Sequence, residues 1–253
     1  TERNSSAASD VYKRQGFPNS AGYREGHAVH CLTGTEADKA FVPFGEVDGR
    51  ITARTGEVAR FLESAPGFGA EIRTDMDAWL KYHVALLFPS LAPTLHAAGV
   101  DNYRLARTRD LVVLAIRAMR EGFRVLRSLG LPVTPSKFRV IEWLPEPILV
   151  LLVQRLLANP LMEVALVKHA EAARSEVEHL IDEFMTLART TSVPTPTIDR
   201  LLQYYRPDAP QVPDGSAEIP LRWGGMFVAF AALAALVAVV VALAKRLLGS
   251  KRQ

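Results

Sequence analysis

The chain of 253 residues is long enough for one large or two small domains, and its 49% apolar content allows a sizeable core, which excludes global disorder. The net charge of +3 is mild, and four of the cations sit at the very end (Lys245, Arg246, Lys251, Arg252), so no basic face suited to nucleic acid is expected. One cysteine, Cys31, excludes an internal disulfide and any multi-cysteine metal site.

Residues 1–15 carry no hydrophobic period. They read as a tail without function, either a translated adapter remnant or a disordered natural extension. No apolar stretch of the signal-peptide kind follows them. Residues 16–73 mix short apolar runs with glycines. Strands are expected over 27–32, 40–44 and 70–73, and an amphipathic helix over 54–64 with Val58, Phe61 and Leu62 on one side. This is the pattern of the back half of an α/β unit.

From residue 74 to 205 the pattern turns helical. Thr74-Asp-Met-Asp77 has the form of a capping box, opening a helix to about 98 that bends at Pro89 and Pro93. A second helix over 103–129 carries the stripe Val112, Ala115, Met119, Phe123 and Leu126, and Gly130 ends it. Residues 135–157, broken by Pro145 and Pro147, form one or two shorter helices. Asn159-Pro160 caps a long helix to 189, striped by Leu166, Ala170, Ala173, Val177, Leu180, Phe184 and Leu187. A short helix over 195–205 closes the domain, and the proline-rich stretch 206–222 reads as a linker.

Residues 223–244 then run for 22 positions without a charge, between Arg222 and Lys245-Arg246. About 20 apolar residues span the ~30 Å hydrocarbon core, so a transmembrane helix over 223–248 is expected, followed by a basic tail 249–253. Charge asymmetry alone would put the C-terminus in the cytoplasm.

Motifs for chemistry are sparse. Gly22-Tyr-Arg-Glu-Gly26 and Gly67-Phe-Gly69 lack the spacing of a dinucleotide fingerprint, and neither a G-x-S-x-G elbow nor an H-E-x-x-H pair occurs. His27, His30 and Cys31 crowd one strand without a second ligand pair, so no metal site is expected.

Four blocks carry a resemblance: Asp75-Met-Asp-Ala-Trp-Leu-Lys81, Arg120-Glu-Gly-Phe-Arg-Val-Leu-Arg-Ser-Leu-Gly130, Glu176 ahead of Phe184, and Val193-Pro-Thr-Pro-Thr-Ile-Asp-Arg-Leu201. In order and spacing they resemble the C-terminal domain of the ketopantoate reductase (2-dehydropantoate 2-reductase) family. Gly45-Glu-Val-Asp-Gly49 resembles the end of that family's Rossmann domain. The resemblance implies a mainly α fold, a multi-helix domain preceded by a remnant of an α/β Rossmann domain, and the uncharged run adds one transmembrane helix after it. It implies NADPH as cofactor and a small 2-keto acid as substrate, ketopantoate giving pantoate in pantothenate biosynthesis. It implies Lys81 as general acid toward the developing alkoxide and Glu176 as the carboxylate that binds substrate and orients the lysine. It leaves room for a homodimer.

The departures fall at the substrate. Ala85 and Pro89 stand where the family carries asparagines, and neither side chain donates a hydrogen bond. The family's serine ahead of the glutamate is not identifiable, and His83 and His169 are the polar groups that could replace these contacts. A reductase needs its helical domain in the cytoplasm with a C-terminal single-pass anchor, and the chemistry takes precedence over the charge asymmetry. The alternative is a membrane-tethered, non-catalytic helical domain that binds a partner or a small acid.

Overall fold

The computed structural model describes residues 14–17, 21–32, 34–168, 170, 174–206 and 208–227. It begins with a three-stranded sheet in the order β1–β4–β5, where β1 is Arg14–Gly16, β4 Ala40–Glu46 and β5 Phe68–Ile72. A separate hairpin joins β2 (Ala21–Glu25) to β3 (Ala28–Leu32). β1 runs antiparallel to β4, while β4 and β5 are parallel with Ala40 opposite Phe68 and Phe44 opposite Ile72. Helix α1 (Ala53–Glu63) makes the crossover that parallel pairing requires. The α/β pattern expected over residues 16–73 is therefore present, with two corrections. Arg14 and Gln15, read as tail, belong to a paired strand, and Phe61 is 76% exposed because α1 turns Thr55 inward instead.

Two glycines set the passage from sheet to helices. At Gly45 a Cβ would lie 2.2 Å from the Arg73 carbonyl oxygen, and Gly49 holds φ +73 against the Thr74 carbonyl, so a side chain would fail at both. The chain leaving β5 is thereby pressed on the end of β4. Arg73 then donates to both oxygens of Asp75 at 2.9 Å, and Thr134 donates to the same carboxylate at 2.7 Å. Asp75 is the N-cap of α2 (Met76–Leu86) without a side-chain cap bond. The expected Thr74–Asp77 capping box does not form, because Asp75 is claimed by Arg73 and the distant Thr134, and Asp77 by Lys81.

The two prolines do not break the first long helix; they are absorbed. α2 continues through a π-helical turn (Leu87–Leu91) into α3 (Ala92–Ala97), with Ser90 donating to the Leu86 and Ala85 carbonyls. A π-turn widens the helix where a proline would otherwise meet the preceding turn. The helix expected over 103–129 is instead two, α4 (Asn102–Arg107) and α5 (Arg109–Ser128), parted at Thr108 with ψ 88. The Thr108 hydroxyl donates to the Arg104 carbonyl at 2.7 Å and accepts from the Gly215 amide at 3.2 Å. α5 is the axis of the domain: Val112, Ala115, Met119, Phe123 and Leu126 are all buried, as their spacing requires, and Gly130 follows at φ +78.

Around α5 pack α6 (Arg139–Trp143), α7 (Glu146–Leu157), α8 (Arg174–Arg189) and α9 (Pro196–Leu202). Asn159 caps Pro160–Met162 as expected, accepting from the Leu161 amide at 2.9 Å; that turn passes into a π-helix (Glu163–Lys168), and α8 takes up the helix from Arg174. α8 buries Val177, Ile181, Phe184, Met185 and Ala188.

The stretch expected to be a linker is fastened down. Arg104 donates to the Val212 carbonyl at 2.8 Å, and Arg107 grips Asp214 with two bonds of 2.7 Å. Asp110 accepts from the amides of Glu218 (2.9 Å) and Ile219 (2.8 Å), and Arg117 donates to the Pro220 carbonyl at 2.8 Å. The Arg222 amide then reaches Glu146 at 2.9 Å. Prolines suit such a strap, since extended backbone seeks its bonds outside itself.

Among the described residues no single helix is long and apolar enough to cross a membrane. Only Glu146–Leu157 with Pro160–Lys168, meeting at 74°, meets the length and composition for a broken span. The expected transmembrane helix over 223–248 lies outside the described residues beyond Phe227.

Candidate functional site

α2 turns Met76, Ala78, Trp79, Tyr82 and Ala85 inward. Lys81 lies on the other side, one-third exposed, and its ammonium is bound by Asp77 one turn earlier on the same helix. Glu176 lies in the first turn of α8, exposed and without an ion pair among the described residues. The structure thus joins neither side chain to the other. The charged run around Glu176 is satisfied locally, with Arg174 on Glu178 at 3.2 Å and stacked over the Tyr205 ring at 5.6 Å.

His83 joins an aromatic cluster rather than an open cleft. Its ring stacks on Trp79 with centroids 3.5 Å apart and meets Phe17 and Phe138 at 5.6 and 4.7 Å. Nδ1 lies 2.8 Å from the Trp79 carbonyl, so that nitrogen carries the proton and Nε2 is left as the acceptor. Burial pulls the imidazole down to about 4, and the Trp79 bond offsets only part of that. The other candidate replacement, His169, lies outside the described residues.

Positions 85 and 89 face protein. Ala85 is fully buried, and a Cβ placed on Gly122 would stand 3.1 Å from the Ala85 Cβ and 3.4 Å from the Phe184 ring. Pro89 is buried in the π-turn. An asparagine at either position would have core around it, not a substrate.

Three buried carboxylates were not singled out from the sequence. Glu121, 4% exposed, accepts from the amides of Thr197 (2.9 Å) and Ile198 (3.0 Å) and from the Thr197 hydroxyl, closing the open start of α9. Two of the sequence blocks, 120–130 and 193–201, are therefore the two halves of one cap. Glu146 accepts from two Arg117 nitrogens, Nη2 at 2.7 Å and Nε at 3.0 Å, with Arg120 at 4.0 Å. Burial pushes Glu146 up, but Arg117 and the Arg222 amide together outweigh it and hold the carboxyl below its usual range. Asp110 is held low in the same way by Ser216, Ile219 and Glu218. The signal was an acidic residue on an otherwise apolar helical face, which needs a partner far away in sequence.

The start of α1, where a helix opens after β4, offers a nucleotide phosphate no seat. At the start of α1, Thr52 and Thr55 cap one another, and Thr52 and Arg54 both donate to Glu46 (2.9 and 3.2 Å). A pyrophosphate there would meet a buried carboxylate instead of free amides. His30 approaches Glu25 at 3.4 Å, and among the described residues no group of three or more His, Cys, Asp and Glu side chains could hold a metal ion.

No family model and no curated protein matches the sequence. Among solved structures, a dimeric ketopantoate reductase from Staphylococcus aureus is similar, with a TM-score of 0.54 and 13% identity. The match covers 76% of this chain and 60% of that one, so this chain spans less than two-thirds of the enzyme's length. The likeness is one of fold.

Proposed function

We propose that this chain is the helical, substrate-side part of an NADPH-dependent 2-ketoacid reductase, held to a membrane by its C-terminal apolar run. The observation that carries the reading is the junction. A β4–α1–β5 unit passes through Gly45, Gly49 and Arg73 directly into α2, which bears Lys81 on its second turn, in a fold similar to that of ketopantoate reductase. A 2-keto oxygen gaining charge needs a positioned donor, and the Lys81 ammonium supplies both charge and proton. Its bond to Asp77 is an exposed i,i+4 pair, worth about 0.3–0.5 kcal/mol, so substrate can displace it cheaply. Glu176 on α8 would then orient the lysine and the acid.

The cofactor is to be held by residues outside those described. With Ala85 and Pro89 packed in the core, the substrate is a 2-keto acid other than ketopantoate. The helical domain faces the cytoplasm, and a homodimer belongs to the same reading. The test is reduction of a panel of 2-keto acids by NADPH with the full-length gene product. One acid is turned over, and Lys81→Ala lowers kcat about 10²- to 10⁴-fold, the usual worth of a general acid. Turnover unchanged in Lys81→Ala removes the assignment.

A specific observation favours a second reading. Lys81 and Glu176 are not paired and the asparagine positions are closed, as suits a tethered domain that binds a partner or a small acid without reducing it. Binding of an acid with no NADPH oxidation by the full-length protein selects it.

A further inference from the structure

α7 is built inside out relative to an ordinary surface helix. Leu149, Val150 and Leu157 are buried, yet Leu151, Leu152 and Leu156 are 63%, 50% and 57% exposed, and Leu161 beyond the helix is 49% exposed. At 100° per residue, 151, 152, 155 and 156 share one side, so three leucines and Arg155 form a continuous outward face. An apolar face of this kind on an otherwise solvated domain marks an interaction surface.

The route of the chain indicates what meets it. The strap ends where the Arg222 amide binds Glu146, the first residue of α7, and Gly225 lies against Pro145, where an added Cβ would come 3.5 Å from its Cα. Trp223 (52% exposed) and Phe227 (71% exposed) follow, opening the uncharged run to 244. A helix of 12 residues is about 18 Å long, so the whole leucine face lies within that distance of the point where the run begins.

We propose that the outward face of α7 rests on the surface of the lipid bilayer that residues 223–244 enter. This rests on the membrane-anchor part of the reading above. Arg155 suits a lipid surface. It stands among the leucines, exposed and without an ion pair among the described residues. At a lipid surface the stem lies with the leucines and the head reaches phosphate. The inner side of α7 stays packed on the domain, so the helix lies in the interface and does not span.

The experiment places the full chain, in a Cys31→Ser background, in vesicles of phosphatidylcholine and phosphatidylglycerol. An environment-sensitive fluorophore is attached in turn to Leu152→Cys, Leu156→Cys and the exposed control Glu183→Cys on α8. Nitroxide-bearing lipids should quench the first two several-fold more than the control. Quenching equal to the control, with free access of aqueous iodide, overturns the proposal. Labels shielded from both quenchers overturn it as well, showing a second copy or another part of the chain on the face. Flotation separates the two levels. A chain that does not float with vesicles refutes the anchor and this proposal together, and one that floats without lipid quenching refutes this proposal alone.

Discussion

Replacing Ala85 by asparagine, the residue that ketopantoate reductases carry there, tests whether this part of α2 faces a substrate or the core. Ala85 is fully buried, with Gly122 and Phe184 so near that even a methyl on Gly122 would come 3.1 Å from the Ala85 Cβ. Asparagine adds three heavy atoms to that space. Overpacking of a tight core costs about 1–3 kcal/mol, and an amide buried without partners adds roughly 1–3 kcal/mol more. The sum, about 2–6 kcal/mol, is a large share of the stability of an ordinary domain. At roughly 2–4 °C per kcal/mol for a chain of this size, Tm should fall by about 10 °C. Circular dichroism melts of wild type and Ala85→Asn measure the fall. Calorimetry of the variant with short 2-keto acids should show no gain in affinity. A variant as stable as wild type, or one that binds a keto acid better, would prove that position 85 opens on a cavity and refute the packing argument.

Two further outcomes follow from buried charge. Glu146→Ala strands Arg117, only 14% exposed, and frees the Arg222 amide, so the urea midpoint should fall by the equivalent of about 3–5 kcal/mol, with faster proteolysis within 208–222. His83 has its imidazole depressed from 6.5 to about 4 by burial, so between those values the unfolded chain binds the proton and the fold does not. Its contribution is complete above pH 6.5 and is lost as pH falls toward 4. The loss is about 2 kcal/mol after allowance for partial exposure, and His83→Gln should flatten the urea midpoint over that window.

Local pattern made much of the helical domain legible. The stripe from Val112 to Leu126 is buried as its period demands, Gly130 ends α5 with positive φ, and Asn159 caps the turn that follows. The failures share a cause. Thr74–Asp77 has the letters of a capping box, but Asp75 is bound by Arg73 and by Thr134, 59 residues away. Residues 206–222 have the composition of a linker, but Arg104, Arg107, Asp110 and Arg117 hold them from more than 100 residues away. Side chains that act at such range leave no mark in a window of sequence. At the candidate site the helices carrying Lys81 and Glu176 were legible, while Ala85 gave no hint that Gly122 and Phe184 close over it.

The strap has a mechanical consequence. Its anchors are spaced along α4 and α5, so a pull on residue 223 is shared among several attachments acting in shear and is not met by one contact at a time. A loose tether would let residue 223 wander over the helical body; this one behaves as a bracket. The strap delivers residues 223–227 to one place beside the start of α7, and shortening it by a residue would pull its attachments out of register with α4 and α5.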